Sequence, residues 1–336
     1  MTENVSHLSH RLSVAPMMDW TDRHCRYFHR RFSRRVLLYT EMVAVEALLR
    51  GPAERLLAFH PAERPLALQL GGSEPARLGA AAAMARQAGF DEVNLNVGCP
   101  SGRVQAGCFG AALMREPARV AECLAAMRAS AGGLRVSLKC RIGVDEQVPQ
   151  AVLPDFLAQV QAAGVCDVAV HARKAWLAGL SAKANRAVPP LDHGLVVAMK
   201  AAFPGLRIVI NGGIDSIEAA LGFLGQGLDG AMIGRAAYHA PAMLGAADRR
   251  VFGEAVEDVA PEDAVRAMLP YIAVELRRGT RLNRITRHML GAFAGRPGAR
   301  AWRRILSQGS HRPGAGPALV EHALAAVTAS AEPVLT

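Results

Sequence analysis

Leu12-Ser13-Val14-Ala15-Pro16-Met17-Met18-Asp19 is a short strand-like run followed by a turn that holds no glycine. An open, doubly wound nucleotide fold needs a Gly-rich turn after its first strand, where the backbone approaches a pyrophosphate. Ala15 to Asp19 supplies none; the one G-x-G-x-x-G in the chain, Gly225 to Gly230, precedes the last strand-like run and so does not follow a first strand, and G-x-x-x-x-G-K-[ST] does not occur. A closed barrel has no such requirement.

Further strand-like runs follow at Val36 to Tyr39, Leu66 to Leu70, Glu92 to Asn96, Arg135 to Lys139, Val168 to His171, Arg207 to Asn211 and Ala231 to Ile233. With Leu12 to Val14 they make eight. Stretches of helical period lie between them, such as Glu74 to Ala88 and Pro117 to Ala131, with Gly89 and Gly132 placed as helix C-caps. The alternation predicts an α/β fold, a (β/α)8 TIM barrel. With 336 residues and 51% hydrophobic content, the chain accommodates one barrel of about 250 residues and a smaller domain. Strand-like runs stop near Arg249, so residues 1–249 are read as the catalytic barrel and 250–336 as a smaller all-helical domain. Its helices are expected at 261–278, 283–294, 298–308 and 317–329.

Met1 to Arg11 is polar and no run of about 18 apolar residues follows, so the expectation is a cytoplasmic enzyme with no membrane segment. The six cysteines form no C-x-x-C pair, which argues against a metal site or a disulfide framework and leaves any functional cysteine to act alone. The net charge of +10 points to a polyanionic partner. It concentrates in the tail: Arg277, Arg278, Arg281, Arg284, Arg287, Arg296, Arg300, Arg303, Arg304 and Arg312 face the single acid Glu275 between Pro270 and Pro313. Ordinary surface mixing does not produce that ratio.

In a (β/α)8 barrel the residues ending each strand line one mouth. Here they are Pro16 and Met17, Glu41, Gln69 before Gly71-Gly72, Asn94 and Asn96, Lys139, His171, Asn211-Gly212-Gly213, and Gly234-Arg235. Singly each has a bland reading: a snorkelling lysine, a satisfied core histidine, a turn-forming asparagine. A purely structural barrel has no reason to collect them all. The turns after the seventh and eighth runs are where barrels bind phosphate through backbone N–H groups and a helix N-terminus. FMN fits such a ring, with Gln69 and Lys139 toward the pyrimidine edge of the flavin and Met17 beneath it. Cys99, in Asn96-Val97-Gly98-Cys99-Pro100, stands on the loop after the fourth run, near Gly107-Cys108-Phe109-Gly110. A thiol of ordinary pKa, about 8.5, without an activating base is read as a proton donor.

These motifs carry a resemblance. Ala15-Pro16-Met17-Met18-Asp19-Trp20-Thr21-Asp22, Asn94-Leu95-Asn96-Val97-Gly98-Cys99-Pro100, His171-Ala172-Arg173-Lys174-Ala175-Trp176 and Asn211-Gly212-Gly213 together resemble the tRNA-dihydrouridine synthases. The insert from Lys174 through Asn185-Arg186 to Pro189-Pro190-Leu191-Asp192, with Thr286-Arg287-His288-Met289-Leu290-Gly291, is similar to the A-type subgroup. The likeness spans about Leu12 to Val327. It implies tightly bound FMN, held by Pro16, Met17, Met18, Gln69, Lys139, His171, Asn211, Gly212, Gly213, Gly234 and Arg235. It further implies NADPH as transient reductant, hydride passing from flavin N5 to C6 of a flipped-out uracil, and protonation of C5 by Cys99. The implied partner is tRNA, with no obligate protein partner, and the usual targets are uridines 20 and 20a. Asn96, Lys183, Arg186, Arg300 and Arg303 match the tRNA contacts. Two positions depart from the pattern: Ala106, where Asn is common, and His193, where Tyr usually follows Leu191-Asp192. Both are expected to affect loop contacts and leave the redox residues untouched.

The residues by themselves point the same way. If a nicotinamide visits the flavin and leaves before RNA enters, no separate dinucleotide domain is needed and the kinetics are ping-pong. The cost of unstacking the target base, a few kcal/mol, is met by RNA contacts elsewhere, which the basic tail supplies. The rival is a flavin-dependent reductase of a small pyrimidine or enone. It shares the phosphate turns and Lys139 but has no use for arginine-rich helices.

Overall fold

The computed structural model describes residues 9–102, 107 and 109–331, with side chains to 329. Ala106 and Cys108 lie outside the described residues. The eight strands are β1 (Leu12–Val14), β2 (Leu38–Ala44), β3 (Leu66–Gly71), β4 (Glu92–Val97), β5 (Arg135–Arg141), β6 (Asp167–His171), β7 (Arg207–Asn211) and β8 (Gly230–Ile233). All pair in parallel in the order β1-β8-β7-β6-β5-β4-β3-β2. The seam between β1 and β2 is closed by the Val14 N–H on the Leu37 carbonyl at 3.0 Å and the Leu37 N–H on the Leu12 carbonyl at 3.1 Å. The strands therefore form a barrel, as expected.

Helices Pro75–Ala88 and Pro117–Ala131 each begin on a proline, whose missing N–H would have had no intrahelical partner. They end on Gly89 (φ 86°) and Gly132 (φ 54°), both left-handed, a conformation that costs a side-chain-bearing residue about 1 kcal/mol or more.

β2 departs from expectation by starting at Leu38 and running on to Ala44. The strand-like run stops at Tyr39, but the strand carries on through the polar Thr40-Glu41 pair with a register shift between Tyr39 and Met42. There the Thr40 hydroxyl accepts the Gln69 N–H at 3.0 Å in place of a ladder carbonyl. β5 likewise continues past Lys139 to a buried Arg141.

In the tail, the single helix expected over 261–278 is two, Pro261–Arg266 and Leu269–Arg277. Pro270 lacks an N–H and its ring excludes a helical carbonyl at Arg266, where the first helix stops. The helix expected over 283–294 spans only Leu282–Thr286, and turns follow. Gly291 packs so closely on the His239 carbonyl that any Cβ would collide with it. Ala299–Gly309 and Pro317–Ala331 match expectation to within a few residues.

The hydrophobic core is continuous from the barrel helices into the tail, where Met289, Phe293, Trp302 and Val327 are fully buried. Trp302 donates its indole N–H to the Met289 carbonyl at 2.9 Å and meets Phe293 edge-on. Tyr271 of the tail stacks on Tyr27 at 3.9 Å between centroids and bonds His24 at 2.7 Å. Both partners lie on the helix Arg23–Phe32 that follows β1. Inside the barrel, Ala15, Leu37, Tyr39, Ala67, Ala169, Val209 and Met232 form an apolar cluster. The other buried inward positions of β3, β4 and β5 include polar ones: Gln69, Glu92, Asn94, Asn96 and Ser137.

Candidate active site

The C-terminal strand ends bring together most of the residues singled out from the sequence. Pro16 and Met17 are partly buried on the turn after β1, which is tied by the Thr21 hydroxyl accepting the Met17 N–H at 3.0 Å. Met18 is exposed at the rim, 53% accessible. On β5, the Lys139 ammonium donates to Asn211 Oδ1 at 3.1 Å, and Asn211 Nδ2 donates to the Met232 carbonyl at 2.8 Å. The carbonyl fixes the Asn211 amide so that its oxygen must face the lysine. Burial pushes Lys139 down to about 8, with Arg141 adding to the fall and Cys140 and Cys99 opposing it.

Gly212 and Gly213 have φ of 109° and 74°, and a Cβ on either would stand 2.6 Å from His171 or Leu191. Only glycine fits there. Gly234 differs: its φ is −101° and a Cβ would meet nothing closer than Ala15 at 3.9 Å. Packing within the protein does not demand a glycine at 234, where a side chain would have room. The helix that follows, Arg235–His239, has only 5 residues, so a phosphate here depends on backbone N–H groups and cations more than on a helix dipole.

Cations crowd this mouth. Arg141 donates to the carbonyls of Gly98 (3.1 Å) and Asn185 (3.0 Å), which ties the Cys99 loop to the segment after β6. Arg235 reaches the Arg186 carbonyl at 3.3 Å. Arg173 bonds the Ala187 and Pro189 carbonyls, while its buried Nε has no partner. His171 is held neutral, its pKa pushed well below the usual value by burial and then by Arg141, Lys139, Arg173 and Arg186. Burial, with Arg186 and Arg173, takes Arg141 down to about 10 against an opposing pull from Cys99. Among the described residues no carboxylate forms an ion pair with Lys139, Arg141, Arg173, Arg186 or Arg235. Uncompensated cations at the end of a barrel are the electrostatic form of an anion site.

A cavity of about 610 Å³ lies elsewhere, between 30–34 and 245–267. There Asp248 accepts the Arg34 backbone N–H at 2.8 Å, and Arg30 donates to backbone carbonyls.

Asn96 is 8% exposed, and its Oδ1 accepts the N–H groups of Gly98 (3.1 Å) and Cys99 (3.0 Å). The Cys99 thiol is 3.5 Å from the Ser101 hydroxyl. Lys183 and Arg186 are exposed on the segment after β6. Arg300 and Arg303 are exposed on Ala299–Gly309, with no hydrogen bond or ion pair to the mouth. Of the ten tail arginines, Arg278, Arg287 and Arg296 pair with Glu275, Asp22 and Glu262. The other seven are exposed without an ion pair among the described residues. His193 touches more than loop contacts: its Nε2 donates to the Gly212 carbonyl at 2.7 Å, so this departure from the pattern sits directly on the Gly212-Gly213 turn.

Arg141 and Arg173 belong to the mouth without having been picked out from the sequence. Arg173 stands inside a quoted motif with no role of its own, and Arg141 lies two positions beyond the apparent end of its strand. Residue parity would have found it, since Ser137, Lys139 and Arg141 share one face of β5.

Among the described residues no helix is long and apolar enough to cross a membrane, and no three His, Cys, Asp or Glu side chains are grouped to hold a metal ion. The fold resembles morphinone reductase (TM-score 0.52, 14% identity, covering 76% of this chain and 88% of that one). It equally resembles an old yellow enzyme homologue from Zymomonas mobilis (0.52, 15%, 76% and 92%). At such identities the likeness is one of fold. A family model described as dihydrouridine synthase matches residues 13–328. The chain is 55% identical over 314 residues to a tRNA-dihydrouridine(20/20a) synthase of Xanthomonas axonopodis pv. citri, covering 94% of this chain and 93% of the relative. It is 53% identical over 319 residues to the Escherichia coli K12 protein of the same name, covering 95% and 92%.

Proposed function

Because the chain belongs to the dihydrouridine synthase family, we propose that it reduces uridine to 5,6-dihydrouridine in the D-loop of tRNA, at positions 20 and 20a as its relatives' names specify. The observation that carries the site assignment is the group of five cations around Cys99 and His171 with no carboxylate paired to any of them among the described residues. The family is flavin-dependent, and FMN, recharged by NADPH, supplies the hydride for uracil C6 when bound.

The residues present suit such a group. Gly212, Gly213 and Gly234 with Arg235 offer a phosphate cradle, to which the unpartnered Nε of Arg173 adds a donor. Lys139, aimed by Asn211, places positive charge where a flavin gains negative charge on reduction, and Gln69 offers an amide beside it. Pro16, Met17 and Met18 supply the apolar wall, and His171, held neutral, hydrogen-bonds without adding charge. Cys99 carries the proton for C5, on a loop fixed by Asn96 and Arg141.

Lys183, Arg186, Arg300 and Arg303 bind the RNA backbone. Asn96 has one amide hydrogen left for the RNA after its other bonds are counted. Residues 1–249 then act as the catalytic barrel and 250–336 as the tRNA-binding part, working in the cytoplasm where tRNA is found. Nucleoside mass spectrometry on unmodified tRNA incubated with protein, FMN and NADPH tests this. Each target uridine gains the mass of one hydride and one proton. If small enones or free pyrimidines are reduced while tRNA is left unchanged, the small-molecule reductase replaces this reading.

A further inference from the structure

Glu92, Asn94 and Asn96 alternate along β4 and all are buried inside the barrel. With Gln69 and Ser137 on the flanking strands they form one continuous chain of hydrogen bonds. The N–H groups of Gly98 (3.1 Å) and Cys99 (3.0 Å) donate to Asn96 Oδ1. Asn96 Nδ2 donates to Gln69 Oε1 at 2.8 Å, and Gln69 Nε2 to Asn94 Oδ1 at 2.8 Å. Asn94 Nδ2 then donates to the Ser137 hydroxyl at 2.6 Å, and that hydroxyl donates to Glu92.

Every donor points the same way, and the direction is forced from the top. A backbone N–H can only donate, so Asn96 must present its oxygen to the loop and its nitrogen to Gln69. Each amide has one accepting and one donating end, so that choice fixes the next amide, and then the next. Asn94 reaches Ser137 as a donor, so the single serine proton has to pass onward to an acceptor. Glu92 is that acceptor. Its carboxylate also takes the Tyr39 hydroxyl at 2.9 Å and faces His10 Nε2 at 2.6 Å. Asp167 stands 3.3 Å from His10 Nδ1 and pairs in turn with Arg207, so the terminus is itself held in place. Hydrogen bonds aligned head to tail in a low-dielectric interior polarise one another, and a break at one end is felt at the other.

We propose that Ser137, ending the chain on the Glu92 carboxylate, is a positioning residue: level with Asn94 and about 7 Å along the strand below Asn96, it anchors the Gln69 and Asn96 amides in the direction the loop N–H groups dictate and so holds the backbone under Cys99. Ser137 and Glu92 touch neither substrate nor cofactor. They act by satisfying the far end of the chain, which keeps the Gln69 and Asn96 amides in place and the Cys99 N–H engaged. The link to catalysis rests on the site assigned above, whereas the chain itself does not.

The test compares Ser137→Ala, which removes only the hydroxyl, with Ser137→Thr, which restores one. Backbone hydrogen exchange at Gly98 and Cys99 is read in the flavin-free protein. FMN affinity and the two half-reactions are read in the loaded one. In S137A, exchange at both amides speeds up about tenfold, the scale of one net hydrogen bond. FMN binds more weakly, and reduction of tRNA falls further than reduction of the flavin by NADPH. S137T returns all of these toward the parent values. Unchanged exchange in a folded S137A protein overturns the proposal, as does loosening that S137T does not reverse, which would assign the effect to packing. If the parent protein binds no FMN, the site reading fails while the exchange measurement still decides the chain.

Discussion

The Asp22 carboxylate accepts a hydrogen bond from His288 Nε2 at 3.0 Å while capping the helix Arg23–Phe32 through the N–H groups of His24 and Cys25. One charge thereby joins the loop after β1 to the tail, and Arg287 adds a second bond at 2.8 Å. Burial works against that charge, yet the bond and charge of His288, with the Cys25 N–H and Arg287, hold the Asp22 pKa well below the usual carboxylate range.

Asp22→Ala removes a helix cap and a largely buried ion pair together, so it destabilises the protein by about 2–4 kcal/mol. Because the folded pKa is depressed, the stabilisation is complete above the unfolded value of about 3.9 and is lost as pH falls below it. Urea unfolding at neutral pH and near pH 3 measures both effects. The gap between parent and variant narrows in acid, and a gap that stays constant would show that the charge of Asp22 is not what stabilises the junction.

Lys139 titrates near 8 in the flavin-free protein, so it is mostly charged at neutral pH and mostly neutral a unit or more above its pKa. An anionic ligand favours the charged lysine. FMN affinity should therefore fall with rising pH, approaching about tenfold per unit above 8. In Lys139→Met the affinity is weaker and flat over this range, as fluorescence titration of the flavin-free protein would show. An equally steep profile in the variant would assign the proton to another group.

Cys99→Ala leaves reduction of the flavin by NADPH near the parent rate and slows dihydrouridine formation at least about a hundredfold, the usual scale for a missing general acid. Stopped-flow spectroscopy of each half-reaction separates the two. Parallel losses in both would make Cys99 structural, and no loss in either would move the proton source to water or a neighbouring side chain.

Arg300→Glu with Arg303→Glu weakens tRNA binding and flattens its salt dependence by about one unit of log–log slope for each phosphate that is no longer neutralised. Flavin reduction by NADPH stays as it was, since neither arginine reaches the mouth. An unchanged salt slope would make these arginines no more than a solvated face.

The barrel was legible in the sequence because its signals are local. Apolar runs, proline at helix starts and glycine after helix ends act within a few residues of where they stand, and β1, β7 and the helix Pro117–Ala131 fall at the positions read from them. Legible for the same reason were the ring of polar strand ends and the glycines at 212 and 213, whose backbone angles a side chain resists. The continuation of β2 through Thr40 and Glu41 was not legible, because a hydroxyl from one strand substitutes for a carbonyl of the other. Nor was the pairing of Asp22 with His288, 266 residues apart, since a long-range ion pair leaves no periodic trace.

By itself, then, the sequence determined the eightfold alternation, the residue types at the mouth and the sign of the tail's charge. Tertiary structure alone decided which cations stay uncompensated among the described residues, by sending Arg278, Arg287 and Arg296 to carboxylates and leaving Lys139, Arg141, Arg173, Arg186 and Arg235 without one. It also decided which way each buried amide on β3 and β4 points. Propensity and periodicity act along the chain, whereas electrostatic compensation and hydrogen-bond direction depend on which groups closure of the barrel brings within about 3–4 Å of one another.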